Sequence, residues 1–564
     1  MPVACSSHGN EVSIWPSWSG DYPTVQAVSN GTIWIPQYGV SFCTGENRPN
    51  FYPLKLLRHI FTKETVSTEI GIAMKNLGKG EREDLVKQVL GQGPTATETY
   101  IQIFATLKAI GQLPKLPEFV FAGVSDRAIP LYFDLNKMGE PLFSKESKGG
   151  NFSQSLPDGL LDDRSAKIAF TVEQHNMNVP FFGNQDEPYN FPWDQVLPIR
   201  KITPDEASTE LEALRGSYGR VSKIQIHPMC HSFEDVFKTL KIPDGGVYFA
   251  QKQFLQNDEA SFRKEVEMLR RFHNTEHPHI VTLLASYKHQ NERYLIFPWA
   301  THDLGSYWEK VRPAPDPSDP ELVRWVCKQL WNLSDAVRHI HSLDEDRKVP
   351  EDERLYGRHG DLKAENILWY KSETGFGNLV ITDMGLSKTH RFESRTYVPK
   401  REVMATPRYR PPEVEYENGI MGRTFDIWTL GCIFLEFLCW LHRGFEGLQG
   451  MENDMMAPSI RKRSETNEYF EWVCAEDAGC FAIRVKKVVT KLIETLRSDC
   501  SEFTYNLLDI IEHQMLVVDR NDRISAVELA EKMRDLDTQC EGRGGVVMVF
   551  RDCEFDITGF FLGA

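Results

Sequence analysis

The sequence predicts an α+β protein in which a small, mostly helical accessory domain precedes a larger domain with a β-rich first part and a helical second part. Three observations carry this prediction. An apolar stripe with helical spacing runs through residues 100–110. Two β-rich runs follow, VYFAQKQF at 247–254 and RYLIFPWATHDL at 293–304. From about residue 301 onward, the pattern is mainly helical.

Composition bounds the class of protein before any motif is considered. The 564 residues suffice for roughly two to four domains, and the net charge of −16 argues against a general nucleic-acid binder, which needs a basic surface. The 11 cysteines include no CxxC pair, which is typical of reduced thiols. Since the sequence has no signal-peptide pattern and no apolar run of about 18 residues, we expect no membrane association.

Neither end of the chain nor its first third contains a motif that suggests catalysis or ligand binding. Residues 1–53 are rich in Ser, Gly, Asn and Pro without a helical period, so we expect a poorly ordered tail. Residues 54–196 are predicted to form the accessory domain. Residues 541–564 lie beyond the last helical pattern and remain unassigned.

Within the accessory domain, the pattern predicts two helices, a loop and a strand. EREDLVKQVL (81–90) is predicted to be a helix that ends at Gly91, and the stripe at 100–110 predicts a second helix. Residues 140–163 are rich in Gly, Ser and Asp, which indicates a loop. We expect a strand within KIAFTVEQHNMNVPFF (167–182).

Two segments after residue 197 are suited to binding phosphate. GSYGRVSKIQI (216–226) places a glycine-containing turn between two strands, where backbone N–H groups can approach a phosphate closely. Taken alone, such a turn is more often an ordinary hairpin. Lys252 lies in an otherwise apolar strand, where its ammonium is costly to bury unless it has a partner.

The next segment, ASFRKEVEMLRRF (260–272), predicts a helix with a glutamate on its apolar face. Glu265 lies between Phe262 and Leu269 on that face. Glu267 lies about 200° around the helix from Glu265, so it should face solvent. The inward glutamate follows the inward lysine by thirteen residues.

The segment HGDLKAENIL (359–368) carries the polar groups that a reaction would need. Asp361 is followed by Lys363 and Asn366, and Asp383 lies seventeen residues after Asn366 in ITDMG. Together these groups could hold a hydroxyl, a phosphate and Mg²⁺, which prefers oxygen ligands. The arrangement resembles the catalytic loop and the metal-binding segment of the protein kinases.

Two later segments occur in the order that this resemblance requires. In ATPRYRPPEVEY (405–416), the resemblance implies that Thr406 contacts Asp361 and Lys363, and that Glu413 pairs with Arg523 in the helical half. TFDIWTLGCIFLEF (424–437) is similar to the D-x-W-x-x-G segment of kinases. The resemblance covers about 200–540 and implies a bilobal kinase fold, with a β-rich small lobe at about 197–300 and a helical large lobe at about 301–540.

The resemblance also implies a role for each candidate site residue. Asp361 is the expected catalytic base, and Lys363 is expected to neutralise the γ-phosphate of ATP. Asn366 and Asp383 are the expected Mg²⁺ ligands. The expected nucleotide-binding residues, which include the Lys252–Glu265 ion pair and the hinge, are Gly216, Gly219, Val221, Ala250, Lys252, Glu265, Phe297, Pro298 and Ala300. The implied activity is transfer of phosphate from ATP to serine or threonine in proteins.

Four departures from the family pattern bear on the site and its regulation, and Ala405 and Pro411 add two more within the 405–416 segment. Leu214 replaces the first glycine of the phosphate loop, Met384 replaces the usual phenylalanine of DFG, and Pro298 removes a hinge N–H. Gly360 stands where most kinases have the arginine that pairs with a phosphorylated activation loop. We therefore expect the 384–412 loop to be active without phosphate or to be ordered by another contact.

Three alternatives were weighed against this interpretation. A pseudokinase or scaffold would share the fold but transfer little phosphate, and the four departures favour it slightly. Small-molecule phosphotransfer is disfavoured because the 405–416 segment and the Glu413–Arg523 pair shape a peptide-binding lobe. His227, Cys230 and His231 lack a fourth ligand at sensible spacing, so we expect no zinc site there.

The finer expectations concern subgroup, partners and location. GSYGRVSKIQIHPMCHSF and the 343–357 insert resemble divergent kinases of filamentous fungi, and lysine two residues after Asp361 resembles serine/threonine kinases. The expected partners are ATP, Mg²⁺ and a protein substrate, without nucleic acid or membrane. The cytoplasm is the expected location, with the nucleus as the alternative.

Overall fold

A computed structural model gives the fold of the protein. The described residues are 51–92, 98–133, 142–146, 152–157, 159–183, 185, 187–202, 215–216, 219–239, 248–254, 259–273, 277–342, 355–372, 375–383, 388–391, 406–415, 422–458, 465–474, 481–498 and 500–542. Of the predicted segments, residues 1–50, Leu214, Met384 and residues 543–564 lie outside this set, as do most of the 343–357 insert and most of the 384–412 loop.

Helices open the described part of the accessory domain, as the sequence predicts. They are α1 (Leu54–Ile60), α2 (Lys63–Ala73), α3 (Lys79–Leu90), α4 (Ile101–Ala109) and α5 (Leu116–Phe121). The two predicted helices are confirmed as α3 and α4. Gly91 ends α3 in the left-handed conformation, with φ of 66°, which glycine adopts without steric cost. Within the apolar stripe, Ile103, Phe104 and Leu107 are fully buried, and Ile110 is half-buried.

The rest of the accessory domain differs from the prediction. Residues 142–155, predicted as loop, contribute β2 (Leu142–Glu146) and β3 (Phe152–Ser155) to an antiparallel sheet with β1 (Leu131–Phe133). The predicted strand within 167–182 is wrong, because Arg164–Met177 form helix α6. The buried residues of α6, Phe170, Gln174 and Met177, follow a helical period, and Asp163 caps its first turn.

One buried carboxylate organises the start of α4. Asp126 Oδ1 accepts hydrogen bonds from the N–H groups of Gln102 and Ile103, each at 3.0 Å, and its Oδ2 accepts from the Thr99 hydroxyl at 2.8 Å. Burial raises the pKa of Asp126 from 3.8 to about 6, although these hydrogen bonds oppose the shift. The folded protein therefore binds a proton at Asp126 more tightly than the unfolded chain does.

This pKa shift predicts a pH-dependent stability that an Asp126→Asn variant should lack. Below pH 4 Asp126 is protonated in both the folded and the unfolded chain, and the stabilisation from its raised pKa is fully present. This stabilisation is lost as pH rises through about 6. Across that window, we expect the free energy of unfolding of the wild type to fall by on the order of 3 kcal/mol relative to that of Asp126→Asn. Urea unfolding of both proteins at several pH values tests this. A constant difference between the two proteins would contradict it.

A seven-stranded sheet lies in the small lobe. Its strands are β4 (Tyr189–Asn190), β5 (Ile199–Lys201), β6 (Arg215–Gly216), β7 (Gly219–Ile226), β8 (Phe249–Phe254), β9 (Ala285–His289) and β10 (Glu292–Pro298). The order is β4-β9-β10-β8-β7-β5, and β6 also pairs with β7. The predicted strands at 247–254 and 293–304 are confirmed as β8 and β10. The short helix α7 (Glu234–Thr239) lies between β7 and β8 in the chain.

The small lobe takes in residues that the sequence assigned elsewhere. Phe51, placed in the tail, and Phe182, placed in the accessory domain, are fully buried against Ile224 and Tyr287. Strand β4 pairs in parallel with β9. Short isolated segments of this kind have no periodicity of their own, so their position depends on contacts distant in the sequence.

Helix α8 (Glu259–His273) packs on this sheet in the predicted orientation. Phe262 and Leu269 are buried, and so is Glu265, which is 8% exposed. Glu267 is exposed to solvent, as predicted. The prediction of helix, face and inward glutamate is therefore confirmed for residues 260–272.

The large lobe is mainly helical. Its helices are α9 (Leu304–Ser306), α10 (Pro320–His341), α11 (Thr424–Met455), α12 (Lys487–Arg497), α13 (Glu502–Ile510) and α14 (Ala526–Gly542). Its short strands are β11 (His302–Asp303), β12 (Leu355–Arg358), β13 (Ile367–Tyr370), β14 (Asn378–Ile381), β15 (Lys388–Arg391), β16 (Ala457–Pro458), β17 (Glu465–Thr466), β18 (Phe470–Cys474) and β19 (Phe481–Val485). The strands pair as β11-β13-β14, β12-β15, β16-β17 and β18-β19.

Helix α11 is the central element of the large-lobe core. Residues 425–441 are buried along its first half, including Trp428 and Trp440 at zero exposure. It is the one helix, within the residues placed here, that is long and apolar enough to cross a membrane, with an 18-residue window of mean hydropathy 1.5. Because 94% of that window is buried inside the protein, α11 is a core helix by its contacts.

Candidate active site

The catalytic-loop residues lie together immediately after β12. Asp361 is 8% exposed, and its carboxylate accepts hydrogen bonds from the N–H and hydroxyl of Thr406 at 3.2 and 3.3 Å. Lys363 Nζ lies 3.2 Å from Asp361 Oδ2 and donates to the Thr406 hydroxyl at 3.0 Å. The predicted contacts of Thr406 with Asp361 and Lys363 are therefore confirmed.

Asn366 is oriented by the same carboxylate. Its Nδ2 donates to the backbone oxygen of Asp361 at 2.7 Å and to Asp361 Oδ2 at 3.2 Å. Since both contacts use the amide nitrogen, Oδ1 is the atom of Asn366 that can ligate a cation. The donor type fits Mg²⁺, which prefers oxygen.

A buried aspartate on α11 holds the backbone of the catalytic loop. Asp426 accepts from the N–H of His359 at 2.8 Å and from the N–H of Gly360 at 2.9 Å, and His341 Nε2 lies 2.8 Å from its Oδ2. Burial alone raises the pKa of Asp426. The hydrogen bond and charge of His341, helped by the backbone donors, outweigh burial and hold the pKa below its ordinary value. Asp426 is the aspartate of the D-x-W-x-x-G segment, and the sequence does not predict these partners.

His359 connects the catalytic loop to the segment of Asp383. Its Nε2 lies 2.9 Å from the backbone oxygen of Thr382, and the Thr382 N–H donates to the backbone oxygen of Asn366 at 2.9 Å. His359 is fully buried. His359 therefore packs beneath the Asp383 segment and hydrogen-bonds to its backbone.

Gly360 has a backbone reason to be glycine. Its φ is 83°, a conformation in which a Cβ clashes with the backbone. We predict that Gly360→Ala lowers the free energy of unfolding by about 1–2 kcal/mol. A urea titration measures this, with Gly80→Ala as the control, because Gly80 lies in helix α3 with nothing within 4 Å of an added Cβ. Equal stability of Gly360→Ala and wild type would contradict the strain argument.

On the small-lobe side, Lys252 joins two carboxylates. Its Nζ lies 2.8 Å from Glu265 Oε1 on α8 and 3.2 Å from Asp383 Oδ1. Burial lowers the pKa of Lys252, but the charges and hydrogen bonds of Glu265 and Asp383 raise it above its ordinary value, so the ammonium stays charged. The predicted Lys252–Glu265 ion pair is confirmed. Asp383 has a φ of 61°, which is unusual outside glycine.

The strand register brings the remaining nucleotide-binding candidates around Lys252. Gly216 lies opposite Gly219 in the β6–β7 pairing. Val221 lies opposite Lys252 across β7 and β8, and Ala250 lies opposite Phe297 across β8 and β10. Gly216, Gly219, Val221, Ala250 and Phe297 therefore lie on neighbouring strands of the sheet that carries Lys252.

The hinge is held by bonds that the sequence did not reveal. The buried Tyr370 hydroxyl donates to the carbonyl of Pro298 at 3.2 Å. The Trp299 N–H donates to the Tyr248 carbonyl at 3.3 Å, and the Thr301 N–H donates to the Trp369 carbonyl at 3.2 Å. Ala300, the other hinge candidate, is half-buried between these contacts. A tyrosine at the end of an apolar strand carries no sequence signal of such a partner.

The large-lobe supports are in place. Arg523 forms a bidentate pair with Glu413, at 2.9 and 2.7 Å, and both side chains are buried. The prediction of this pair is confirmed. A second buried network, unpredicted from sequence, joins Glu436 on α11 to Arg408 at 2.7 Å and to the hydroxyls of Tyr409 and Tyr469.

The segment that carries His227, Cys230 and His231 is buried near the small-lobe sheet. His227 and His231 are 3% and 6% exposed, and burial lowers the pKa of each to about 4. Among the residues that the structure places, no group of three or more His, Cys, Asp or Glu side chains is arranged for a metal ion.

A known protein family matches the part of the chain that contains this site. Residues 232–533 match the pattern of the protein kinase domain family, and this span is more than half of the 564 residues. The chain belongs to the protein kinase family. The matched span of the kinase domain contains Lys252, Asp361 and Asp383 and begins after the glycine turn at 216–219.

Similar kinases come from several groups. Cyclin-dependent kinase 2 of Caenorhabditis elegans is 32% identical over 161 residues, which cover 28% of this chain and 38% of that protein. Serine/threonine-protein kinase DCLK1 of Rattus norvegicus is 29% identical over 206 residues, covering 36% and 40%. Calcium/calmodulin-dependent protein kinase type 1 of Macrobrachium nipponense is 32% identical over 200 residues, covering 33% and 46%. The chain thus matches less than half the length of these relatives.

Proposed function

We propose that this kinase domain transfers phosphate from ATP to serine and threonine hydroxyls of protein substrates. The observation that carries the proposal is the double contact of Lys252 with Glu265 and Asp383, since it joins α8, β8 and the metal-binding segment at one point. Phosphoryl transfer needs little beyond positioning and charge stabilisation, and these groups supply both.

Each group in the site has a proposed role in that reaction. Asp361 orients the substrate hydroxyl and accepts its proton, and Lys363 neutralises charge on the transferred phosphate. Lys252 binds the α- and β-phosphates of ATP. Asn366 and Asp383 would hold Mg²⁺, which neutralises phosphate charge when bound.

The serine/threonine assignment rests on Lys363 and on relatives. Lys363 follows Asp361 by two residues and contacts Thr406, which holds the Asp361 carboxylate from the other side. One of the similar proteins is named a serine/threonine-protein kinase. Phosphoamino-acid analysis of the labelled product decides between serine/threonine and tyrosine.

We also propose that the activation loop does not require phosphate. Gly360 provides no guanidinium for a phosphate, and its positive φ disfavours an arginine there. Replacing Ser387, Thr389, Ser394 and Thr396 by alanine should therefore preserve transfer, whereas loss of transfer by a folded protein would refute the proposal.

We further propose that the chain belongs to the divergent fungal-type subgroup of kinases. We also propose that it lies in the cytoplasm and has no nucleic-acid or membrane partner.

The proposal is tested by ATP binding and transfer measured on one preparation. We expect ATP with Mg²⁺ to raise the melting temperature of the full chain more than either alone, because a ligand that binds the folded state stabilises it. Labelled phosphate should then appear on a generic protein substrate. ATP stabilisation without transfer would exclude the enzyme and leave the pseudokinase or scaffold alternative.

A further inference from the structure

A charge cluster fastens the first turn of α8 to the small-lobe sheet. Glu259, the first residue of α8, lies 2.6 Å from Lys288 Nζ on β9 and 2.9 Å from Arg293 Nη2 on β10. Its third partner, Arg263, lies at 2.6 Å but belongs to α8 itself. The first two contacts therefore join the helix to the sheet, whereas the third does not.

Residues 189–193, which include β4, contact the same strand. Asn190 of β4 lies opposite Lys288 in the parallel pairing with β9, and the Phe191 N–H donates to the Lys288 carbonyl at 3.0 Å. The Trp193 carbonyl accepts from the Gln290 side chain at 3.2 Å. Residues 189–193 thus hold the backbone of the strand whose lysine holds Glu259.

We propose that residues 189–193, acting through Lys288, Arg293 and Glu259, position α8 so that Glu265 stays paired with Lys252. This inference rests on the proposed function, because its consequence is assembly of the transfer site. It gives residues 189–193, which the sequence places in the accessory domain and the structure in the small-lobe sheet, a positioning role. In this proposal β4 orders β9, Lys288 and Arg293 hold the start of α8, and α8 presents Glu265 six residues later.

The electrostatics make the cluster persistent but sensitive to salt. The hydrogen bond to Lys288, with those to the two arginines, lowers the pKa of Glu259 to about 2, so its carboxylate is charged at any physiological pH. The Glu259 side chain is 35% exposed, and a cleft of about 860 Å³ lined by Lys288 and Arg293 opens beside the cluster. Since exposed ion pairs are screened by salt, α8 should loosen as ionic strength rises.

The decisive comparison is between a variant that removes the contacts of Glu259 to the sheet and a variant that removes its contact within α8. The double variant Lys288→Gln/Arg293→Gln removes both contacts from Glu259 to the sheet, and Arg263→Gln removes one contact of the same carboxylate without touching the sheet. In the full chain, we expect the double variant to lower kcat roughly three- to tenfold with little change in KM for the protein substrate, and Arg263→Gln to match wild type. The conservative variant Lys288→Arg, which keeps a positive charge at this position, should transfer phosphate at the wild-type rate.

Hydrogen exchange provides a readout that does not depend on activity. Amides of α8 should exchange faster in the double variant than in wild type or Arg263→Gln, while amides of α10 remain unchanged. If wild type transfers phosphate and the double variant equals Arg263→Gln in both kcat and α8 exchange, the positioning role is overturned. If wild type transfers nothing, the proposed function fails, and α8 exchange alone then supports or overturns the positioning role. Should the double variant fold poorly, Glu259→Gln and a salt titration of wild-type α8 exchange give the same decision.

Discussion

Asp361→Asn is expected to reduce phosphate transfer by about 10²- to 10⁴-fold, which is the contribution typical of a positioned general base. The amide that replaces the carboxylate cannot accept the proton of a substrate hydroxyl. The variant should still bind ATP, because the Lys252–Glu265 pair lies on other elements. The ATP-induced rise in melting temperature should therefore persist while the initial rate of labelled phosphate transfer collapses.

The contacts of Asp361 also predict a small structural cost for this substitution. Both carboxylate oxygens accept hydrogen bonds, from Thr406 on one side and from Asn366 on the other. An asparagine must turn its NH₂ toward one of these donors, and one lost hydrogen bond costs about 1 kcal/mol. Urea unfolding separates this cost from the kinetic effect.

The matched control for the lost carboxylate is Asp316→Asn. Asp316 is fully exposed and makes side-chain contacts only with Ser318 among the described residues. Its variant should transfer phosphate at the wild-type rate. If Asp361→Asn retained more than about a tenth of that rate, the base role would be wrong, because the loss would fall below any general-base contribution.

The parts of the site that could be predicted share a simple physical basis. Glu265 was found because a helical period places it among apolar residues, and Lys252 because an ammonium in an apolar strand needs a partner. Either residue alone has a common structural explanation. The two together, followed by Asp361 and Asp383 at the right spacing, predict the Lys252–Glu265 ion pair that the structure contains. The contact of Lys252 with Asp383 is not predicted by the sequence.

The parts that could not be predicted depend on contacts distant in the sequence. The strand predicted within 167–182 is helix α6 in the structure, because tertiary packing overrides local preference. Strand β4 has two residues, and its pairing with β9 depends on where the chain returns. The bond from Tyr370 to the Pro298 carbonyl spans 72 residues and leaves no periodic signal.

Gly360 combines two effects that the sequence could not separate. The resemblance alone indicates a lost partner for a phosphorylated loop. The structure adds that the position has a positive φ and that its N–H donates to the buried Asp426. Restoring an arginine at Gly360 therefore introduces backbone strain at the point where the catalytic loop is anchored, so it would not be a clean test of phosphate regulation.

The largest expected loss of stability follows from Arg523→Met. The Arg523 side chain is fully buried, pairs with Glu413 through two hydrogen bonds, and also donates to the carbonyls of Val517 and Thr424. Its removal leaves the Glu413 carboxylate buried without its partner cation. We expect the free energy of unfolding to fall by about 3–5 kcal/mol, the usual cost of breaking a buried ion pair.

Two further variants distinguish the buried charge from a general effect of losing an arginine. Arg484 pairs with Glu471 at 2.8 Å on the exposed β18–β19 hairpin, so Arg484→Met should cost no more than about 1 kcal/mol. Arg523→Met/Glu413→Leu removes both charges and should recover part of the loss, because no uncompensated carboxylate remains in the core. Urea unfolding of the three variants measures these differences. A double variant no more stable than Arg523→Met would show that Arg523 acts through its packing and carbonyl contacts, and that its pairing with Glu413 contributes little.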